Sequence, residues 1–160
     1  MVASKNFQRM LQLAEDVFAV RTDPDQLDVN EAVIEKLHHI HPSTLSEHID
    51  GDGPVVWILL IPTTLKTMNK FLSHEYTERD LFENTNPDEK YEAIYLCSAL
   101  VLPEFRSKGL AKKLSIEAIN AIREKHPIRN LFVWPFSEEG NKLAEKIAMT
   151  TGLALMKRKK

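Results

Sequence analysis

The stretch "LVLPEFRSKGLAKKL", Leu100 to Leu114, runs from apolar residues through Pro103 to a lone glycine, Gly109. Arg106, Lys108, Lys112 and Lys113 ring that glycine, and beyond it the spacing becomes helical. A strand that ends where a helix begins leaves a row of unpaired amide N–H groups, which need a cap or an anion. Glycine there lets the backbone approach a phosphate closely, and the helix start adds about half an elementary positive charge. The cations supply mobile counter-charge. This spacing therefore suits the holding of a pyrophosphate by consecutive amides from Ser107 to Ala111, where a bulky side chain at position 111 would crowd the ligand. Taken alone, the glycine fits a plain turn better, and the paired lysines a solvated face. There is no G-x-G-x-x-G after a strand and no G-x-x-x-x-G-K-[ST], so the other common phosphate motifs are excluded.

Two further groups could carry chemistry. "HHIHP", His38 to Pro42, lies near His48, Asp50 and Asp52, and on a helix His38 and His41 could share a face. Zinc usually takes a further set of well-spaced ligands and its structural sites favour thiolates, so solvated or capping histidines are the favoured reading and no metal is expected. Cys97, the single cysteine, could accept an acyl group; a buried thiol packing as a small hydrophobe is favoured. Trp57 and Trp134 are read as core residues on strands. The terminal "KRKK", Lys157 to Lys160, reads as a disordered, solubilising end rather than a contact with nucleic acid or membrane.

The elements that must position these residues follow from periodicity. Phe7, Met10, Leu11, Ala14, Val17 and Phe18 recur at helical spacing until Asp23-Pro24, predicting an amphipathic helix near 5 to 20. A second helix starts after Asn30, carries Ala32, Val33, Leu37 and Ile40, and stops at Pro42. "GDGP", Gly51 to Pro54, is the turn before the first confident strand, "PVVWILLIP". Leu65, Met68, Phe71 and Leu72 look helical, and the polar stretch that follows, ending at "NPDEK", is expected to be a mobile surface segment. "YEAIYLCSALVL" from Tyr91 and "NLFVWPF" from Asn130 read as buried strands. Between them lies a helix burying Leu110, Leu114, Ala118 and Ile122 and ending near His126-Pro127, and another helix follows to about Met149. "LALMKRKK" closes the chain. Strand, helix, strand, helix, strand implies a partly parallel sheet covered by helices.

The 160 residues, 43% hydrophobic and 28% charged, suit one globular α/β domain. A formal net charge of −2 gives no global field for nucleic acid, so an anion site must be a local patch. One cysteine excludes an internal disulfide framework, and "MVASKNFQRM" lacks the apolar core of a signal peptide, which together point to the cytoplasm. No apolar run approaches the length of a membrane span.

Arg106-Ser107-Lys108-Gly109-Leu110-Ala111 resembles the R/Q-x-x-G-x-G/A motif of the GNAT superfamily of acyl-CoA-dependent N-acyltransferases, with Val101 to Pro103 matching the V-x-P before it. The family's N-x-x-A-x-x-x-Y-x-x-x-G-F pattern is matched in register by Asn141, Ala144 and Gly152, with Leu153 for the phenylalanine and Ala148 where the tyrosine stands. The resemblance covers roughly Tyr91 to Leu153. It implies a single domain, 1–160, with a divergent helical first half (about 1–50), a mixed central sheet flanked by helices, and a coenzyme-binding core at about 91–153.

It further implies transfer of an acetyl group from acetyl-CoA to a primary amine, borne by a small molecule or a peptide. Coenzyme contacts are expected from Ala99, Leu100, Val101, Arg106, Ser107, Lys108, Gly109, Leu110, Ala111 and Asn141. The strand ending at Val101 should splay from the one containing Phe132, with pantetheine in the gap against the backbone of residues 99–101. Glu92, Tyr95, His74 and Glu75 are candidate bases that the sequence does not separate, and no catalytic residue is assigned. A non-catalytic acyl-CoA sensor or scaffold stays open, favoured by the missing tyrosine. So does a protein-interaction module docking through its helical first half. A homodimer covering the last strand's edge is expected.

Overall fold

In the computed structural model, which describes residues 5–20, 30–135 and 137–159, the sheet is centred on two apolar strands. β2, Gly53–Thr63, is buried along its whole length except at Trp57. It pairs antiparallel with β3, Ala93–Val101, placing Ile58 opposite Ala99 and Trp57 opposite Leu100. β4, Asn130–Val133, and β5, Ala154–Lys157, continue the sheet in parallel, giving the order β1-β2-β3-β4-β5. Two helices connect the parallel strands and pack on each other: α5, Leu110–Arg123, between β3 and β4, and α6, Glu138–Thr151, between β4 and β5. α5 turns Ser115, Ala118, Ile119 and Ile122 inward, while Leu110 and Leu114 are half-buried. α6 ends at Gly152, whose φ of 74° is left-handed backbone that glycine adopts without strain.

Among the described residues of the first 50 are two helices and a strand. α1, Lys5–Val20, spans the predicted range; the Phe18 side chain and Asp23-Pro24 lie outside what is described. α2, Glu31–Ile40, is capped by Asn30, whose side chain accepts from the Val33 N–H, and it buries Val33, Leu37 and Ile40. β1, Leu45–Asp50, was not expected: it forms an antiparallel edge hairpin with β2 through the Gly51 turn.

The stretch after β2 corrects the expectation of a mobile surface segment. α3, Leu65–Leu72, is followed by α4, Glu78–Glu83, which begins with a capping box between Thr77 and Asp80. Glu78, Leu81, Phe82 and Thr85 are buried, and Thr85 shares a 2.7 Å hydrogen bond with Thr63. Lys36 of α2 donates to the Phe82 carbonyl and lies over its ring. The stretch is a packed element: some of its polar residues, such as Arg79, Glu83 and Asn84, are exposed, while Glu78 and Thr85 are bonded inside.

The basic end is corrected too. Arg158 is 3% exposed; its guanidinium lies 4.4 Å from the ring centroids of both Phe71 and Trp134 and donates to the carbonyls of Phe71 and Tyr76. Trp134 sits just past the end of β4 rather than within it. Among the described residues, no helix is long and apolar enough to cross a membrane.

Candidate functional site

β3 and β4 pair from Ala93–Asn130 to Tyr95–Phe132 and no further. Just beyond, the register of β3 against β2 slips: Leu60 faces Leu96 and Leu59 faces Ser98, leaving Cys97 as an extra residue in a bulge. The strands then diverge around a cleft of about 640 Å³, walled by residues 96–101 on one side and Val133, Trp134 and Pro135 on the other. The Leu102 N–H donates to Val55 of β2 at 3.0 Å. Backbone alternation then turns the polar groups of Ala99 and Val101 toward the open side. There the Val101 carbonyl accepts a 3.0 Å bond from Arg106 Nε.

Past β3, the 3-10 turn Pro103–Phe105 leads into a loop with two left-handed residues, Ser107 (φ 64°) and Gly109 (φ 75°). Gly109 stands at the N-cap of α5, and no side chain caps the helix. The first α-helical bond is Lys113 N–H to the Gly109 carbonyl, so the amides of Leu110, Ala111 and Lys112 have no acceptor within the helix. A Cβ added at Gly109 would meet nothing within 4 Å. Glycine is set here by backbone conformation and open space, not by packing.

Of the residues proposed to hold a coenzyme, Ala99, Leu100, Val101, Arg106 and Ala111 line the cleft. Ser107, Lys108, Gly109 and Leu110 form the loop and helix start beside them. Asn141 lies on α6 between the cleft-lining Gly140 and Ala144. Its Nδ2 donates to Glu145 at 3.0 Å, and its Oδ1 is buried without a hydrogen-bond partner. Because Glu145 accepts only, it fixes which end of the amide faces inward. Lys157 of β5 donates to the same Glu145 oxygen and holds that carboxyl below its usual range. Ala148 is buried in the core, and its neighbour Ile147 lines the cleft instead.

None of the four candidate bases lines the cleft. The buried Tyr95 donates its hydroxyl to Glu78 at 2.6 Å, His74 and Glu75 are exposed, and the Glu92 carbonyl receives the amides of Arg129 and Asn130. Cys97 is half-buried and lines the cleft. His38 and His39 are exposed on α2, and His41 is buried with Nδ1 accepting from the Ser43 N–H. Among the described residues, no three or more side chains are grouped to hold a metal.

Sequence reasoning missed the wall that α1 contributes, Leu13, Asp16 and Val17, and the buried Ser115 of α5. The signal for Asp16 is its place between Leu13 and Val17, a carboxylate beside an apolar stripe.

A mixed five-stranded sheet, opened between its third and fourth strands and meeting a glycine loop and helix start at the opening, defines a GNAT-like α/β fold. No family model matches the chain, and no curated protein does. Among solved structures, a chain of "The NatB Acetyltransferase Complex Bound To bisubstrate inhibitor" matches with a TM-score of 0.50 and 15% sequence identity, over 84% of this chain and 67% of that one. At this identity the likeness is one of fold.

Proposed function

We propose that this chain is an N-acyltransferase that takes an acetyl group from acetyl-CoA and passes it to a primary amine. The observation that carries the reading is the meeting of an unsealed strand edge with an uncapped helix start: the backbone of Ala99 and Val101 faces the cleft, and α5 begins at left-handed Gly109. A similar fold occurs in a solved structure of the NatB acetyltransferase complex.

The residues present fit such a cosubstrate. Buried polar groups are normally hydrogen-bonded, and Asn141 Oδ1, beside the cleft wall, lacks a partner. The amides from Ser107 to Ala111 would bind the pyrophosphate at the positive end of α5, and Arg106, Lys108, Lys112 and Lys113 would neutralise the phosphates. The backbone of residues 99–101 would take the pantetheine arm. Acetyl-CoA supplies an acyl group already activated as a thioester. One of the β3 amides would polarise its carbonyl in the manner of an oxyanion hole, while the walls position the amine for direct attack.

A non-catalytic acyl-CoA binder is the second reading, favoured by one observation: none of Glu92, Tyr95, His74 and Glu75 reaches the cleft. Thiol release from acetyl-CoA with a panel of amines separates the two. Release above the amine-free background supports the enzyme, and binding without release supports the sensor.

A further inference from the structure

α1 lies along the cleft from its loop end to its deep end. The Lys5 and Asn6 amides donate to Asp52 at the β1–β2 turn, and Phe7 meets Trp57 edge-on at 5.9 Å. Arg9 pairs with Glu104, two residues before Arg106. Leu13, Asp16 and Val17 then line the cleft beside Ile58 and Leu60, and Leu60 faces Leu96 at the Cys97 bulge. From Arg9 to Asp16 the helix rises about 10 Å, and from Val101 back to Cys97 the strand covers about 13 Å. Asp16 thus lies about two helical turns beyond Arg9, on the cleft wall and away from the Glu104 end of the loop.

The charged side chains lining the cleft, among the described residues, are Arg106, Glu139 and Asp16. Arg106 belongs to the loop end and Glu139 to the first turn of α6. Asp16, itself exposed, shares α1 with the cleft-lining Leu13 and Val17. Gln12 Nε2 donates to Asp16 Oδ1 at 2.9 Å and orients the carboxylate.

We propose that Asp16 is the acceptor-binding residue, receiving the N–H groups of a primary amine carried on an apolar stem. The inference rests on the acyl-transfer reading above. A carboxylate beside apolar residues attracts an amine and repels an anion. In the transfer, the nitrogen lone pair forms the C–N bond to the thioester carbonyl carbon, and the C–S bond breaks with its electrons leaving on sulfur. The proton shed by nitrogen passes to Asp16 and on to solvent. An alkylamine and a peptide amino terminus on an apolar residue share this chemistry.

The full chain, saturated with coenzyme A, is titrated by calorimetry with hexylamine, with a short peptide bearing a free amino terminus on an apolar first residue, and with hexanoate. The wild type is expected to bind one of the amines and not hexanoate, and the amine that binds identifies the acceptor class. Asp16→Asn should weaken that binding about tenfold or more, as loss of a charged hydrogen-bond partner does, with coenzyme affinity and Tm unchanged. Gln12→Ala should weaken it less. Undiminished amine binding by Asp16→Asn, or a coenzyme-loaded wild type that takes neither amine, overturns the inference and leaves the acyl-transfer reading standing. A wild type that does not bind coenzyme A overturns that reading, and the inference with it.

Discussion

α5 and α6 begin at the C-terminal ends of neighbouring parallel strands, yet they begin in opposite chemical states. α6 is closed by its own sequence: Ser137 Oγ accepts from the Gly140 N–H at 3.0 Å, and Glu138 and Glu139 fill the first turn. α2, α3 and α4 are likewise capped, by Asn30, Thr64 and Thr77. α5 has no side-chain cap, no acid in its first turn, and two left-handed residues leading into it. A missing cap usually costs about 1 kcal/mol, and α5 lacks one where α2, α3, α4 and α6 have theirs, as the proposed anion site requires. On the proposed function, two helix starts equivalent in topology would have different roles, one structural and one receptive.

The largest effect is expected from reversing the sign of the receptive end. In the wild type, coenzyme A at a hundredfold excess over its dissociation constant should stabilise the protein by about 2.7 kcal/mol, read as a rise in Tm. Gly109→Glu should abolish that rise. The fold should survive, because a Cβ there meets nothing within 4 Å, although an L residue at φ 75° is strained by about 1–2 kcal/mol. An undiminished rise in Tm would show the seam to be an ordinary turn.

Asn141→Leu comes next. It should weaken coenzyme A binding about threefold to tenfold, the worth of one hydrogen bond, without lowering Tm in the absence of ligand, because it also removes a buried acceptor with no partner. Glu145→Ala should weaken binding too. In a double-mutant cycle the two losses should not add, since Glu145 acts by orienting Asn141. Full additivity would show that Glu145 acts independently.

What the residues disclose in advance divides along the same line between structure carried locally and structure made by tertiary contact. β3, α5, β4, α6 and β5 can be read in order because long apolar runs and 3.6-residue periodicity mark each, and the Gly109 loop lies at one of those boundaries. β1 hides because "LSEHID" is a half-exposed edge strand, with too few apolar residues to alternate. α4 is six residues long, too short for a periodicity count, and its legible mark is the Thr77-x-x-Asp80 capping box. Arg158 reads as part of a charge run because its partners, Phe71, Tyr76 and Trp134, are remote in sequence. Asp16 reads as the polar side of α1, and only the docking of α1 on β2 and β3 brings it to the cleft.

Ser137→Ala sharpens the contrast from the structural side. Removing the α6 cap should lower stability by about 1 kcal/mol, while coenzyme A affinity stays as in the wild type, because Ser137, although it lines the cleft, has its Oγ engaged by the Gly140 N–H. A loss of affinity comparable to that of Asn141→Leu would show that both helix starts bind the ligand, and the division of roles between them would fail.

The smallest effect concerns the acid that precedes the receptive end. Glu104 lies five residues before Gly109, where a free carboxylate would oppose an incoming anion, but Arg9 pairs with both its oxygens at 2.6 Å. The bond from Arg9 holds the Glu104 carboxyl down at about 2, against an ordinary value of 4.5. A carboxyl depressed in the folded state favours folding above its unfolded value, so this contribution is complete above about pH 4.5 and disappears as pH falls toward 2. Both side chains are partly exposed, at 37% and 50%, so the pair is screened and its worth is small. Glu104→Gln should flatten the fall of Tm between pH 4.5 and 2. Arg9→Gln should leave the carboxylate unmasked near Lys108 and weaken coenzyme A binding slightly, the difference from wild type fading as salt is added. A difference that persists in high salt would mean that Arg9 acts by holding α1 in place, and not by shielding the uncapped start of α5 from a neighbouring acid.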